Sequence, residues 1–320
     1  MLIFGDRYNL IRDNYIFPLL NYKVDVDKLE YNNLKYLLKN KIKGVKSTDH
    51  REYEIIFNKD DLLKALLGEI DYFYTRALVQ YFNIIESKNT ISSCWGVVTH
   101  YYFSFFTINT LLRMSHRGCT YLNSNDANEL SRIITAFSTD LIQVPSGNYS
   151  FSIVEYDDSS DLSLLLKQTK KGTHEQTWAI LGKLLDEMLN NKTKDDEYTF
   201  LRNIKQISDD YNINFPSSLR NDINYKPQYG YKSIKKEINN YIPDLNMEEI
   251  VKNLLKYTSK DDENYKIKMS ALIGNFFFIY STKLLNEYII RGNPSKEAQK
   301  IKSHFIKKYG FKFPVFPDAI

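Results

Sequence analysis

Between Asp61 and Ile84 the apolar residues Leu63, Leu66, Leu67, Ile70, Phe73, Ala77, Tyr81 and Ile84 recur mostly at three- and four-residue steps. That is the period of one buried helix face. A second stripe follows Ser92-Ser93, through Val98, Tyr101, Phe105, Ile108 and Leu112, stepping alternately by three and four. Two long helices separated only by a polar break at Ser87-Lys88-Asn89 have to run back along each other. The chain is therefore committed to a helical hairpin, and an all-β or fibrous fold is excluded. Asp60-Asp61 supplies N-cap chemistry for the first helix. Gly118 stands where a C-cap glycine would end the second.

A third stripe, Met269, Leu272, Ile273, Phe276, Phe277, Tyr280, Leu284 and Tyr288, predicts a buried helix over 261–290. Its apolar run from Ala271 to Tyr280 is interrupted by Asn275 and is too short to cross a bilayer. Shorter helices are predicted over 126–137, 173–190 and 195–211. Another lies near 26–41 after a short strand or loop, and Pro294 starts a basic one. Leu141-Ile142-Gln143-Val144 and the segment from Tyr149 to Val154 flank the turn sequence Pro145-Ser146-Gly147-Asn148. Alternation around such a turn predicts a β-hairpin, read as a small insertion because two strands alone are marginal. The fold class is mainly α: an antiparallel helical bundle with a small β-hairpin insertion. Residues 1–60 read as an N-terminal extension, 61–290 as the helical domain with its insertion about 126–212, and 291–320 as a basic tail.

With 43% hydrophobic and 14% aromatic residues the chain can fill a core, which excludes a disordered protein. Two cysteines, Cys94 and Cys119, are too few for a disulfide framework and fit a reducing compartment. The start of the sequence has no signal-peptide pattern, so the expectation is a cytoplasmic protein with no membrane segment. The formal net charge is +4. From Arg291 onward seven basic residues face only Glu297 and Asp318, so the tail holds more than the whole surplus. Such a tail meets phosphates or serves as a solvated helix face.

Phosphate-binding glycine loops and the nucleophile elbow are missing. His50, His100, His116, His174 and His304 are scattered outside any metal-ligand spacing. The expectation is no metal and no cofactor, which also sets aside a Mg²⁺-dependent nuclease. Asp157-Asp158, Asp195-Asp196 and Asp261-Asp262 read as helix caps rather than catalytic pairs. Arg113 and His116 read as complements to a helix C-terminal dipole, and His100 as a core histidine.

Two segments carry a resemblance. Trp95-Gly-Val-Val-Thr-His100-Tyr101-Tyr102-Phe103-Ser104-Phe105-Phe106, continuing to Leu111-Leu112, resembles the second helix of HEPN-type helical domains, with its Tyr-Tyr pair. Arg220-Asn221-Asp222-Ile223-Asn224-Tyr225 is similar to that family's signature, an arginine followed four to six positions later by histidine or tyrosine. The resemblance implies a HEPN-like bundle and an RNA- or nucleotide-interacting protein of bacterial defence or toxin–antitoxin type, acting as a homodimer. Some members cut RNA without a metal, so it implies catalytic roles for Arg220 and Tyr225. Arg220 would fork a phosphate. A tyrosine ordinarily titrates near pH ~10 and is a poor base, so its place in the motif bears on cleavage. Asn221, Lys226, Tyr229, Tyr231 and Lys232 complete the candidate RNA-binding set, as interleaved rings and charge. The other readings stay open: Arg220 in a helix-start ion pair, the tyrosines packing a turn, and the chain as a non-catalytic protein-interaction or scaffold subunit.

Overall fold

The computed structural model describes residues 4–23, 30–49, 51–87, 92–155, 160–190, 194–226, 245–260 and 262–292. In chain order it runs α1 (Asp6–Ile11), a π turn (Arg12–Ile16), a 3-10 turn (Phe17–Leu19) and α2 (Leu34–Asn40). Then come β1 (Ile42–Asp49), β2 (Glu52–Asn58), α3 (Lys59–Ser87), α4 (Ser93–Met114), β3 (Arg117–Leu122) and α5 (Ser124–Ala136). β4 (Gly147–Glu155), β5 (Asp161–Thr169), α6 (Thr173–Leu189), α7 (Asp196–Asp210) and α8 (Phe215–Tyr225) follow. α9 (Met247–Leu255) and α10 (Glu263–Arg291) complete the described elements. The protein is mainly helical, with one antiparallel sheet in the order β1-β2-β5-β4-β3.

The three long stripes become α3, α4 and α10, and every stripe residue is buried except half-buried Phe73. α3 and α4 are antiparallel: Arg113 reaches Glu69, and Tyr81 meets Phe103 further toward the start of α4. α10 lies against both, with Phe278 stacked on Tyr74 and Tyr81 of α3 and tilted on Phe103 of α4. The approach of α4 to α10 depends on Gly274, where a Cβ would overlap the Ser104 hydroxyl. Beside it His100 Nε2 lies 2.9 Å from Asn275 Oδ1, so His100 is a buried, partnered core histidine.

Helix ends follow local chemistry with some reassignments. Asn58, not the Asp60-Asp61 pair, accepts the first amides of α3, while the two aspartates sit in its first turn. Asp195 and Asp262 cap α7 and α10 as expected of helix starts. Gly118 is no C-cap: it lies inside β3 with the Arg113 side chain packed across it. The left-handed residue after α4 is His116, at φ 55°. Arg113 does stand in the last turn of α4, where a cation complements the helix dipole, and it has a further role. It is buried and donates to Glu69, to Asn109 and to the Cys119 carbonyl.

The sheet corrects the expected hairpin. β4 pairs with β5 on one side, Phe151 opposite Leu166, and with β3 on the other, Cys119 opposite Ser150. Residues 141–144 are not a strand, because α5 satisfies their backbone: the Ser131 hydroxyl accepts from Val144 N–H and Thr135 brackets Ile142. β1 and β2 were not expected, and Tyr53, Ile55 and Phe57 of β2 face the core. Helix α2 is shorter than the expected 26–41, since Asn33 caps it by accepting the Tyr36 amide. α8 and α9 are further elements without a predicted counterpart.

Residues expected to form an N-terminal extension belong to the core: Tyr8, Ile11, Ile16 and Leu19 are buried in the same cluster as α3, α4 and α10. Arg7 is fully buried and donates to Asp195 and to the Met188 carbonyl. Glu197 in turn accepts the amides of Arg7 and Tyr8 at the start of α1. Phe151, Leu164, Leu166, Leu185 and Phe200, from the stretch expected as an insertion, enter that core too. The basic tail from Pro294 lies outside the described residues. Among the described residues no helix is long and apolar enough to cross a membrane.

Candidate functional site

Three helices converge where the two halves of the resemblance lie. α4 presents Tyr101 and Tyr102 one after the other. α8 starts at Phe215 with Pro216 in its first turn and buries Phe215, Ser217 and Leu219, which carries Arg220 inward. α6 starts after Gly172 with no side-chain cap, but Thr173 donates to Asn148 of β4 at 2.7 Å, and this anchors the adjacent His174.

Arg220 is 8% exposed, and its guanidinium carbon lies 5.2 Å from the Tyr101 ring centre and 5.7 Å from that of Tyr102. Cation–π attraction is worth more as the cation loses water. His174 Nδ1 is 2.8 Å from the Tyr101 hydroxyl, and its ring lies 4.3 Å from that of Phe105. Burial raises the Tyr101 hydroxyl above its ordinary range, while Ser217 and Arg220 oppose the shift. Burial first, and then the charge of Arg220, lower His174 to about 4. At neutral pH His174 is therefore uncharged.

The charge balance of this cluster is unusual. Among the described residues no carboxylate pairs with Arg220, and its buried Nε has no hydrogen-bond partner. Buried charges are normally paired, because desolvation is costly. The helix-start ion pair considered for Arg220 is therefore not formed within these residues.

The remaining predicted residues are distributed unevenly. Tyr225 ends α8 and is 76% exposed. At 3.6 residues per turn, a residue five positions on points about 140° away around the helix. One helix cannot bring both members of the Arg220–Tyr225 motif to one face. Asn221 and Lys226 are exposed, and Lys226 pairs with Asp222 at 2.8 Å. Tyr229, Tyr231 and Lys232 lie outside the described residues. Sequence reasoning missed His174, whose only local signal is its place at a helix start behind Gly172. Its neighbours come from α4 and α8, distant in the chain.

What the cluster can do chemically follows from its parts. It combines a planar cation with spare donors, two tyrosine rings, and a neutral imidazole hydrogen-bonded to one of them. No group of three His, Cys, Asp or Glu side chains among the described residues could hold a metal ion. Comparison of the chain with protein-family models, with curated proteins and with solved structures finds no significant match.

Proposed function

We propose that this is a HEPN-like, RNA- or nucleotide-interacting protein whose α4–α6–α8 cluster takes a phosphate group. The observation that carries the reading is the buried guanidinium of Arg220 on Tyr101 and Tyr102, which has no carboxylate partner among the described residues and an unsatisfied Nε. A phosphate would satisfy the guanidinium through two parallel hydrogen bonds. The meeting of the Tyr-Tyr segment with the arginine segment supports the same reading. In it His174, rather than Tyr225, is the group suited to move a proton in metal-independent cleavage. An arriving phosphate anion favours the charged imidazole and raises its low proton affinity. Tyr225 then serves as an exposed stacking ring. A homodimer and a defence or toxin–antitoxin setting belong to the same proposal.

Fluorescence anisotropy with labelled single-stranded RNA in EDTA tests it. Arg220→Ala should weaken binding about 10- to 100-fold, the value of a charged hydrogen-bond pair. Arg220→Lys should recover part of it, because an ammonium lacks the planar fork. His174→Ala should keep binding and abolish any cleavage. Unchanged affinity in a folded Arg220→Ala variant would remove the reading. A non-catalytic protein-interaction subunit is the second reading, favoured by Phe137 and Leu141, which stand 48% and 90% exposed after α5. It predicts no RNA binding by the wild-type chain.

A further inference from the structure

A cavity of about 510 Å³ opens between α3, residues 30–35, β3 and the start of α6, within the range of small-molecule sites. It touches the Arg220 cluster only through the start of α6, where lining Thr173 precedes His174; its floor at Arg113 is about three helical turns beyond Tyr101 on α4. The cavity exists because the segment before α2 is held hard against α3. Gly68 allows this, since a Cβ there would overlap the Asn32 carbonyl oxygen.

Its floor is a fixed ion pair. Glu69 Oε2 accepts from Arg113 Nε at 2.9 Å, and Oε1 accepts the Leu34 amide at 3.1 Å. Each carboxylate oxygen can accept about two hydrogen bonds, so Glu69 keeps acceptor capacity. Its side chain is 14% exposed against 3% for Arg113, so the carboxylate is the member a ligand can reach. The walls are aromatic: Tyr72, Phe73 and Tyr121. Arg113 sits 4.6 Å from the centre of the Phe73 ring.

The cations of the lining are already paired. Arg113 is paired with Glu69, and Lys35 is paired with Asp126 at 3.2 Å. A phosphate would find no unpaired cation, which is the reverse of the situation at Arg220. A fixed carboxylate with free acceptor positions selects N–H donors, and aromatic walls select a flat ring. We infer that this cavity is a binding site for an uncharged, planar amino-heterocycle of nucleobase type. The ligand's N–H edge meets Glu69, and its ring packs among Tyr72, Phe73 and Tyr121.

Calorimetric titration of the full chain with guanosine, adenosine, cytidine and uridine tests this, since uridine alone lacks an exocyclic amine. The expected result is saturable binding of at least one amino-bearing nucleoside, with uridine weakest. Tyr72→Ala and Tyr121→Ala replace half-exposed rings and leave the core intact; each should weaken binding about tenfold, the value of a stacked ring. Glu69→Gln should abolish the preference over uridine. No saturable binding up to about 1 mM of any nucleoside overturns the inference, as does affinity unchanged in the folded double variant Tyr72→Ala/Tyr121→Ala. The phosphate reading is judged separately: Arg220→Ala should leave nucleoside affinity intact. If Arg220→Ala removes it instead, the nucleoside binds at the other cluster and the cavity site is wrong.

Discussion

Three histidines, His100, His116 and His174, are each lowered to about 4, chiefly by burial. In the unfolded chain a histidine takes up its proton as pH falls through about 6.5; in the native protein these three wait until about 4. Across that window the unfolded state binds more protons, so stability falls as pH falls from about 6.5 toward 4. Fully buried His100 alone should contribute about 3 kcal/mol of that loss. Thermal unfolding followed from pH 7 down should show a steep decline, and His100→Gln should flatten it. Equal slopes in the two proteins would show that His100 is not what the acid attacks. At this scale the sequence was readable in part. His100 was readable as a core residue from its place beside Tyr101 in a long apolar helix, although it lies off the stripe and faces Asn275 of α10. The role of His174 depends on a hydroxyl and a guanidinium from other helices, and no local pattern announces it. The Arg220–Tyr225 spacing matches a motif, yet helical geometry turns its two ends apart.

Among elements, α4 and α10 meet closely at Gly274, where a Cβ would overlap the Ser104 hydroxyl. Gly274→Ala would gain about 1 kcal/mol of helix propensity but force Ser104 aside. A net loss of about 1–3 kcal/mol in denaturant unfolding is expected from overpacking. Ser104→Gly in the same chain should recover most of it, and a neutral Gly274→Ala would mean the helices are free to separate. Phe276→Ala, which removes a fully buried ring packed 4.7 Å from Phe200, should cost about 3–5 kcal/mol. The long helices were legible because apolar residues recur along them at three- and four-residue steps, even though α10 is buried on every side from 269 to 282. The sheet was not. β1 carries register shifts between Ile42 and Gly44 and between Val45 and Ser47, which break the period of two that identifies a strand. Residues 141–144 do alternate, but hydroxyls of α5 take the hydrogen bonds that a strand partner would have taken.

For the whole molecule the decisive ties are long in sequence. Arg7 and Asp195 pair at 2.8 Å, and Glu197 holds the amides that open α1. Arg7→Ala would leave fully buried Glu197 and half-buried Asp195 without their cation and should cost about 3–5 kcal/mol, read from the shift in urea midpoint. A shift within error would mean that α1 is only loosely docked. Because α7 supplies the acceptors for α1, the order of synthesis matters. At about 5–20 residues per second, α1 leaves the ribosome on the order of ten to forty seconds before its partners exist. Through that interval Tyr8 and Ile11 have no finished core to enter, and a chaperone or a protease can reach them. Ribosome-bound chains arrested before α7 should lose α1 to brief proteolysis, whereas chains arrested well beyond α8 should keep it.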